Sequence, residues 1–158
     1  MDETPPASRA LEKLGIAHRV FHHPSLVTSL KQAARERGQR PEQIVRSILF
    51  RLAENEYIMI LAAGPAQISW KALRRHLGQS RLTMASEAEV LQVTGFRVGT
   101  VSPFGLPRLL KVLLDASVLK EKEISLGSGM PNTGIIMQSA DLQRALGEVE
   151  VVNLVENP

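Results

Sequence analysis

Residues 41–65, PEQIVRSILFRLAENEYIMILAAGP, decide the fold. Two apolar, β-branched runs, Ile44–Leu52 and Tyr57–Ala62, are joined by the short polar link Glu54-Asn55-Glu56. That pattern predicts a β-hairpin, and Gly64 and Pro65 end it. Along an extended Ile44–Leu52, alternate residues share a face. Ile44, Arg46, Ile48 and Phe50 then lie on one side, and Val45, Ser47, Leu49 and Arg51 on the other.

Outward from the hairpin, the chain alternates short helices and strands. On the N-terminal side, Pro6–Leu14 reads as a helix stopped by Gly15, and Ala17–His22 as a strand broken by Pro24. Leu30–Arg37 follows as a helix, with Ser29 as cap and Gly38 just beyond its end. On the C-terminal side, Ser69–Leu77 is a helix stopped by Gly78. Ser86 and Glu89 form a capping-box pattern for a helix that ends at Gly95. Gly99–Pro107 holds two glycines and two prolines in nine residues, so it is loop. Strands are expected at Leu109–Leu114, Glu123–Leu126 and Gly134–Gln138. Ser139 is expected to cap a short helix over Leu142–Leu146, and Val149–Leu154 is a closing strand. About seven strands with about five helices, mostly short links and a hairpin imply an α+β fold. The expectation is a single domain over 1–158, with a mixed, largely antiparallel and partly barrel-like sheet.

Composition bounds the function. The chain has 158 residues, 44% hydrophobic and 22% charged, which fits one ordinary globular domain. It contains no cysteine, which excludes disulfides, thiolate metal sites and cysteine nucleophiles. The longest apolar stretch, Tyr57–Ala63, is far short of the ~18 residues that span a bilayer. The start, MDETPPAS, is acidic and proline-rich and does not read as a signal peptide. The expectation is a soluble cytoplasmic protein without a membrane partner. The net charge is +3 and the pI about 9.6. Tyr57–Ser86 contains no acidic residue but holds Lys71, Arg74, Arg75, His76 and Arg81. Lys31, Arg35, Arg37 and Arg40 form a second cluster, interrupted only by Glu36, whereas the C-terminal third is acidic. Such a window is either a surface for a phosphate backbone or a solvated helix face.

Several chemistries lack their residues. The four histidines, His18, His22, His23 and His76, read as surface or turn residues, and no metal-ligand pattern accompanies them. There is no GxSxG elbow, P-loop or dinucleotide fingerprint. Two features stand out instead. Arg46 sits mid-strand on an apolar face, where it must either pair, with Asp115 as a candidate, or line a pocket that binds an anion or a polarised oxygen. The loop Gly99-Thr100-Val101-Ser102-Pro103-Phe104-Gly105 is stiffened by proline and opened by glycine. It can aim backbone N–H groups at one oxygen, or simply connect a helix to a strand.

At this loop the sequence resembles the YbaK/prolyl-tRNA-synthetase-associated editing-domain family, the INS-like trans-editing deacylases. The pieces, in the family's order, are the His22–Pro24 H-x-P segment, the helix with Ala33, Ala34 and Gly38, and the PEQIVRSILF strand. LRRHLG, MASEAEV, GTVSPFG, LLD at Leu113–Asp115 and SLGSG at Ser125–Gly129 follow. The resemblance implies hydrolysis of the ester of mischarged aminoacyl-tRNA without metal or cofactor, with a ribose hydroxyl of the terminal adenosine helping to activate water. One position departs: family deacylases carry lysine where Arg46 stands. Arginine keeps the positive charge, donates through a planar fork and cannot act as a base.

The reading is therefore a free-standing aminoacyl-tRNA deacylase. Its pocket would lie between the Arg46 strand, the Gly99–Gly105 loop and the Gly127–Gly129 turn. Arg46, Gly99, Val101, Ser102 and Gly105 are the candidate catalytic residues, with Arg46 anchoring substrate and backbone N–H groups near Val101–Gly105 holding the carbonyl oxygen. Ser47, Pro103, Phe104, Gly127, Ser128 and Gly129 are candidate substrate contacts. Lys71, Arg74, Arg75 and Arg81 are candidates for tRNA phosphates. The expected partners are the acceptor end of a mischarged tRNA and an aminoacyl-tRNA synthetase. The alternative is a module that binds a tRNA 3′ end or an aminoacyl-like small molecule without hydrolysing it.

Overall fold

The computed structural model describes residues 4–156. The hairpin forms where the sequence places it. Strands β2 (Val45–Ala53) and β3 (Glu56–Ala63) pair antiparallel, and Asn55 takes the left-handed conformation at the turn. Before them come α1 (Pro6–Lys13), β1 (Arg19–His22) and α2 (Leu30–Glu36). After them come α3 (Trp70–Leu77), β4 (Thr83–Met84), α4 (Glu87–Thr94), β5 (Lys111–Asp115), β6 (Glu123–Gly127), β7 (Thr133–Gln138), α5 (Ser139–Ala145) and β8 (Glu150–Val152).

The strands divide into two sheets. One runs β4-β2-β3-β5-β8 and the other β1-β7-β6. Four strand pairs are antiparallel, β1 with β7, β2 with β3, β2 with β4 and β6 with β7. Two are parallel, β3 with β5 and β5 with β8. The mixed, largely antiparallel α+β reading holds. The barrel does not close: no ladder joins the two sheets among the described residues, and the isolated bridge between Ile44, just before β2, and Ser125 of β6 is the backbone pairing that links them. The eighth strand, β4, is two residues long and too short to leave a period in the sequence.

Strand β3 is buried on both faces, which is why it reads as one continuous apolar run. Met59, Leu61 and Ala63 face a large core shared with α1, β6, β7 and α5. Ile58, Ile60 and Ala62 face a smaller core closed by Leu73 of α3, where Phe50 packs edge-on to Trp70. The caps explain the helix starts. Ser29, Ser69 and Ser86 each accept a hydrogen bond from the backbone N–H three residues on, and the Glu89 carboxylate in turn accepts one from the Ser86 N–H. Helix α5 begins earlier than expected, with Ser139 as its first residue and Gln138 at the cap position without a side-chain bond.

Two local expectations change. Arg46 stands at the second residue of β2, opposite Ala62, and not in the middle of the strand. Asp115 is not its partner. The two Asp115 carboxylate oxygens accept the backbone N–H groups of Ser117 and Leu154 and tie β5 to the C-terminal segment.

Candidate functional site

Where the two sheets meet, a cleft of about 350 Å³ opens. Its walls come from the segment leading into α2 (Val27, Thr28, Ser29), from Arg37, from the start of β2, from Gly99 and Val101, and from Gly127 and Thr133. The sequence-predicted Arg46, Ser47, Gly99, Val101 and Gly127 thus share one cavity.

Glycine makes the junction possible. A Cβ on Gly127 would stand 2.3 Å from the Val101 carbonyl oxygen, so the end of β6 and the 99–105 loop touch backbone to backbone. The Gly129 N–H donates to the Thr100 carbonyl at 2.8 Å and pins the loop from the other side. Gly99 has φ +92°, open space beside its α-carbon and no acceptor for its N–H; the Val101 N–H has none either, among the described residues. Two unpaired amides at the rim are suited to hold an oxygen that gains charge.

The cations are the site's dominant electrostatic feature. Arg46 donates through Nη2 to the Ala66 carbonyl and makes no ion pair among the described residues. Its Nε is buried without a partner, as is the neighbouring Ser47 Oγ. Burial holds the Arg46 guanidinium below its ordinary pKa. Arg37 is desolvated more strongly, and its pKa is pushed down to about 10. Its Nη1 donates to Ser125 Oγ at 2.9 Å and its Nε to His23 Nε2 at 3.1 Å. His23 Nδ1 in turn donates to Glu36 Oε1 at 2.7 Å. Ser125 Oγ donates to Gln39 Oε1 at 2.6 Å, and Gln39 Nε2 donates to Glu123. Hydrogen bonds from Gln32 and His23 hold the Glu36 carboxyl below the usual carboxylate range.

His23 thereby corrects the reading of all four histidines as surface or turn residues. Its side chain is fully enclosed and belongs to this polar network. His18 is bonded to Ser8 and the Ile16 carbonyl, while His76 faces Glu150. Arg37, His23 and Thr133 were not among the predicted site residues. The one hint was the H-x-P segment, since Pro24 fixes the backbone just after His23.

The other predicted residues lie beside the cleft and do not line it. Ser102 is fully buried, and its Oγ accepts the Phe104 N–H. Phe104 belongs to the large core, and Pro103 and Gly105 face α1, where Gly105 packs on Pro6. Ser128 Oγ bonds Thr133 Oγ1 and the Met130 N–H, and Gly129 packs on the Phe96 ring. These residues shape the loop and turn from behind. On α3, Lys71 and Arg75 are exposed and Arg74 is half-buried; none of them, nor Arg81, makes an ion pair among the described residues. The Ala66 carbonyl that receives Arg46 lies four residues before α3 begins, so Arg46 ties the start of β2 to the segment leading into this basic helix.

The cleft lining contains no Asp, Glu, His, Lys or Cys, so no wall residue can act as a general base. No group of three His, Asp or Glu side chains among the described residues could hold a metal ion. No described helix is long and apolar enough to cross a membrane.

An open two-sheet α+β domain with a cationic cleft and unpaired loop amides is chemically suited to an oxygen-rich, anionic group. Residues 23–145 match the family described as the aminoacyl-tRNA editing domain. The chain is 34% identical over 114 residues to the uncharacterised protein YwhH of Bacillus subtilis, an alignment that spans 72% of each chain. It is 31% identical over 100 residues to the multifunctional Ser/Thr-tRNA deacylase ProXp-y of Escherichia coli, covering 63% of this chain and 59% of that protein. Among solved structures, one put forward as a trans-editing enzyme for prolyl tRNA synthetase superposes with a TM-score of 0.87 at 29% identity, covering 99% of this chain and 100% of that one. The chain belongs to the aminoacyl-tRNA editing domain family. Its class of activity is the deacylation of mischarged tRNA, which answers the choice between enzyme and binding module in favour of the enzyme.

Proposed function

We propose that the chain hydrolyses the ester of mischarged tRNA in the cleft between β2, the 99–105 loop and the end of β6, and that its substrates carry a small hydroxylated amino acid. The observation that carries this reading is the pair of buried polar atoms without partners among the described residues, Arg46 Nε and Ser47 Oγ, on consecutive residues of β2 that both line the cleft. A buried polar group left unpaired costs roughly 1–3 kcal/mol, so the site is built to be completed by a ligand. Arg46 takes an oxygen of the aminoacyl ester, and Ser47 Oγ takes the hydroxyl of a seryl or threonyl side chain. The similarity to a Ser/Thr-tRNA deacylase supports the same assignment.

The ester carbonyl lies toward the Gly99 and Val101 amides, which receive the charge that water attack places on its oxygen. With no base on the walls, a ribose hydroxyl of the substrate orients the attacking water and relays its proton to the ribose oxygen that leaves as the ester bond breaks, so that the free amino acid and the free tRNA end are the products. The protein's part is to position, to desolvate and to stabilise charge. The compartment is then that of translation, the cytoplasm. A synthetase is the fitting partner, because it supplies the mischarged ester.

Release of labelled amino acid from a panel of charged tRNAs tests the reading. Seryl- and threonyl-tRNA should be hydrolysed faster than alanyl-tRNA, which lacks the hydroxyl. Ser47→Ala should lower kcat/KM for the hydroxylated pair by about tenfold, or ~1.4 kcal/mol, and leave alanyl-tRNA unchanged. An equal change on all three would remove the hydroxyl assignment.

The basic helix supplies a further expected result. Reversing charge at Lys71, Arg74 and Arg75 together should weaken tRNA binding and flatten its salt dependence. Each lost phosphate contact lowers the log–log slope by about 0.7–0.9. An unchanged slope would move the phosphate surface away from α3.

A further inference from the structure

The cleft has a second guanidinium that the deacylase reading does not use. Arg37 sits at the C-cap of α2, across the cleft from neither an Asp nor a Glu, and no carboxylate lies within ion-pair distance of it among the described residues. Two of its nitrogens are committed, Nε to His23 and Nη1 to Ser125, while Nη2 has no hydrogen-bond partner among the described residues. The commitment is deliberate in its chemistry. His23 Nδ1 is occupied as a donor to Glu36, so Nε2 carries the lone pair that receives the Arg37 Nε–H. Glu36, the nearest carboxylate in this chain of bonds, is spent on His23 and Gln32 and does not neutralise Arg37 directly.

The backbone beneath is cut away to match. A Cβ on Gly134 would stand 2.4 Å from Arg37 Cζ and 2.6 Å from its Nη2. Gly134 has no positive φ, so its lack of a side chain is not required by the strand but makes room for the guanidinium. A half-buried cation that is fixed on two sides, seated on a glycine and left open on the third at a cleft wall has the form of a receptor for an oxyanion.

We propose that Arg37 is an anion-binding residue of the cleft, its Nη2 receiving either the 5′-phosphate of the terminal adenosine or the ester oxygen that gains charge, and that His23 and Gly134 are its positioning residues. This rests on the deacylase reading for the identity of the anion. It does not rest on it for the receptor itself.

Two hydrolysis-resistant probes separate the sources. One is adenosine 5′-monophosphate with a seryl group joined through a 3′-amide, and the other is the same compound without the phosphate. Binding of each is measured on the full chain and on Arg37→Met and Gly134→Ala, together with the single-turnover rate on seryl-tRNA. Gly134→Ala keeps the charge and displaces only the flexible end of Arg37, so it remains informative if Arg37→Met folds poorly. If Arg37 holds the phosphate, the unmodified protein prefers the phosphorylated probe by about tenfold, and both variants lose that preference. If it holds the ester oxygen, the variants bind both probes as before, and the rate falls by about tenfold or more. Unchanged probe preference together with an unchanged rate in both variants overturns the proposal. Failure of the unmodified protein to release any amino acid sinks the deacylase reading and with it the ester-oxygen arm; the phosphate arm is then decided by the two probes, and equal binding of both by the unmodified protein overturns it.

Discussion

Gly127→Ala should reduce deacylation by about a hundredfold while the protein still folds. The added methyl would stand 2.3 Å from the Val101 carbonyl oxygen and 2.9 Å from that of Thr100. Both obstacles are backbone, so the loop as a whole must withdraw from β6. A displacement near 1 Å of the groups that position a reacting ester costs ~100-fold in rate. The stability cost should be about 1–3 kcal/mol, the usual range for overpacking. The amides of Gly99 and Val101 move with the loop, so kcat should fall more than KM rises. Single-turnover kinetics beside a thermal melt read both quantities. A folded Gly127→Ala with full activity would show that the loop does not need its present distance from β6, and the oxyanion role of its amides would go with it.

Gly105 differs from Gly127 for a reason the sequence does not show. The loop text marks both ends, Gly99 and Gly105, as places where backbone could approach a ligand. In the fold, Gly105 has φ +81° and a Cβ there would meet the Pro6 backbone at 3.1 Å, so it serves the seat of α1. Gly99, with nothing near its α-carbon, stays at the cleft. Composition and spacing identify a stiff loop, but which of its residues turn toward the cavity depends on what packs behind it. Ser102 and Phe104 were drawn inward by the large core.

The same limit separates legible from illegible parts elsewhere. The hairpin, the helix stops at Gly15, Gly38, Gly78 and Gly95, and the Ser86–Glu89 box are set by neighbours in sequence, and these local signals suffice to read them. The sheet order and the cleft are set by long-range pairing, in which Ser125 comes to stand beside Ile44. Arg37 illustrates the consequence. In the sequence it is one cation in a basic cluster on α2. Only when β6 and β7 bring Ser125 and Gly134 beneath it does it become a fixed wall of the site. Arg46 was legible because β alternation alone put a charge on an apolar face, and that anomaly has few explanations.

Arg46→Met is the test of that anomaly, and it should separate activity from stability. Two accounts of Arg46 predict opposite signs. A structural ion pair would leave a buried carboxylate uncompensated when the arginine is removed, with a loss of roughly 3–5 kcal/mol. Among the described residues no carboxylate pairs with Arg46: Asp115 accepts the N–H groups of Ser117 and Leu154, and Arg46 donates to the Ala66 carbonyl. Methionine keeps the aliphatic stem against the sheet and removes a desolvated charge whose Nε has no partner. The melting temperature should therefore hold or rise. Deacylation should fall by at least about tenfold, equivalent to ~1.4 kcal/mol of transition-state stabilisation, because the oxygen that Arg46 would receive then meets a thioether. Arg46→Lys refines the result. Lysine restores the charge as a compact ammonium, loses the fork that reaches Ala66 and frees the cation to follow the substrate. It should retain activity and shift the rate by less than Arg46→Met does. A strongly destabilised Arg46→Met together with an inactive Arg46→Lys would mean that the guanidinium holds the β2 edge to the 64–69 segment. In that event Ser47 and the loop amides would be left to bind the ester without a cation from β2.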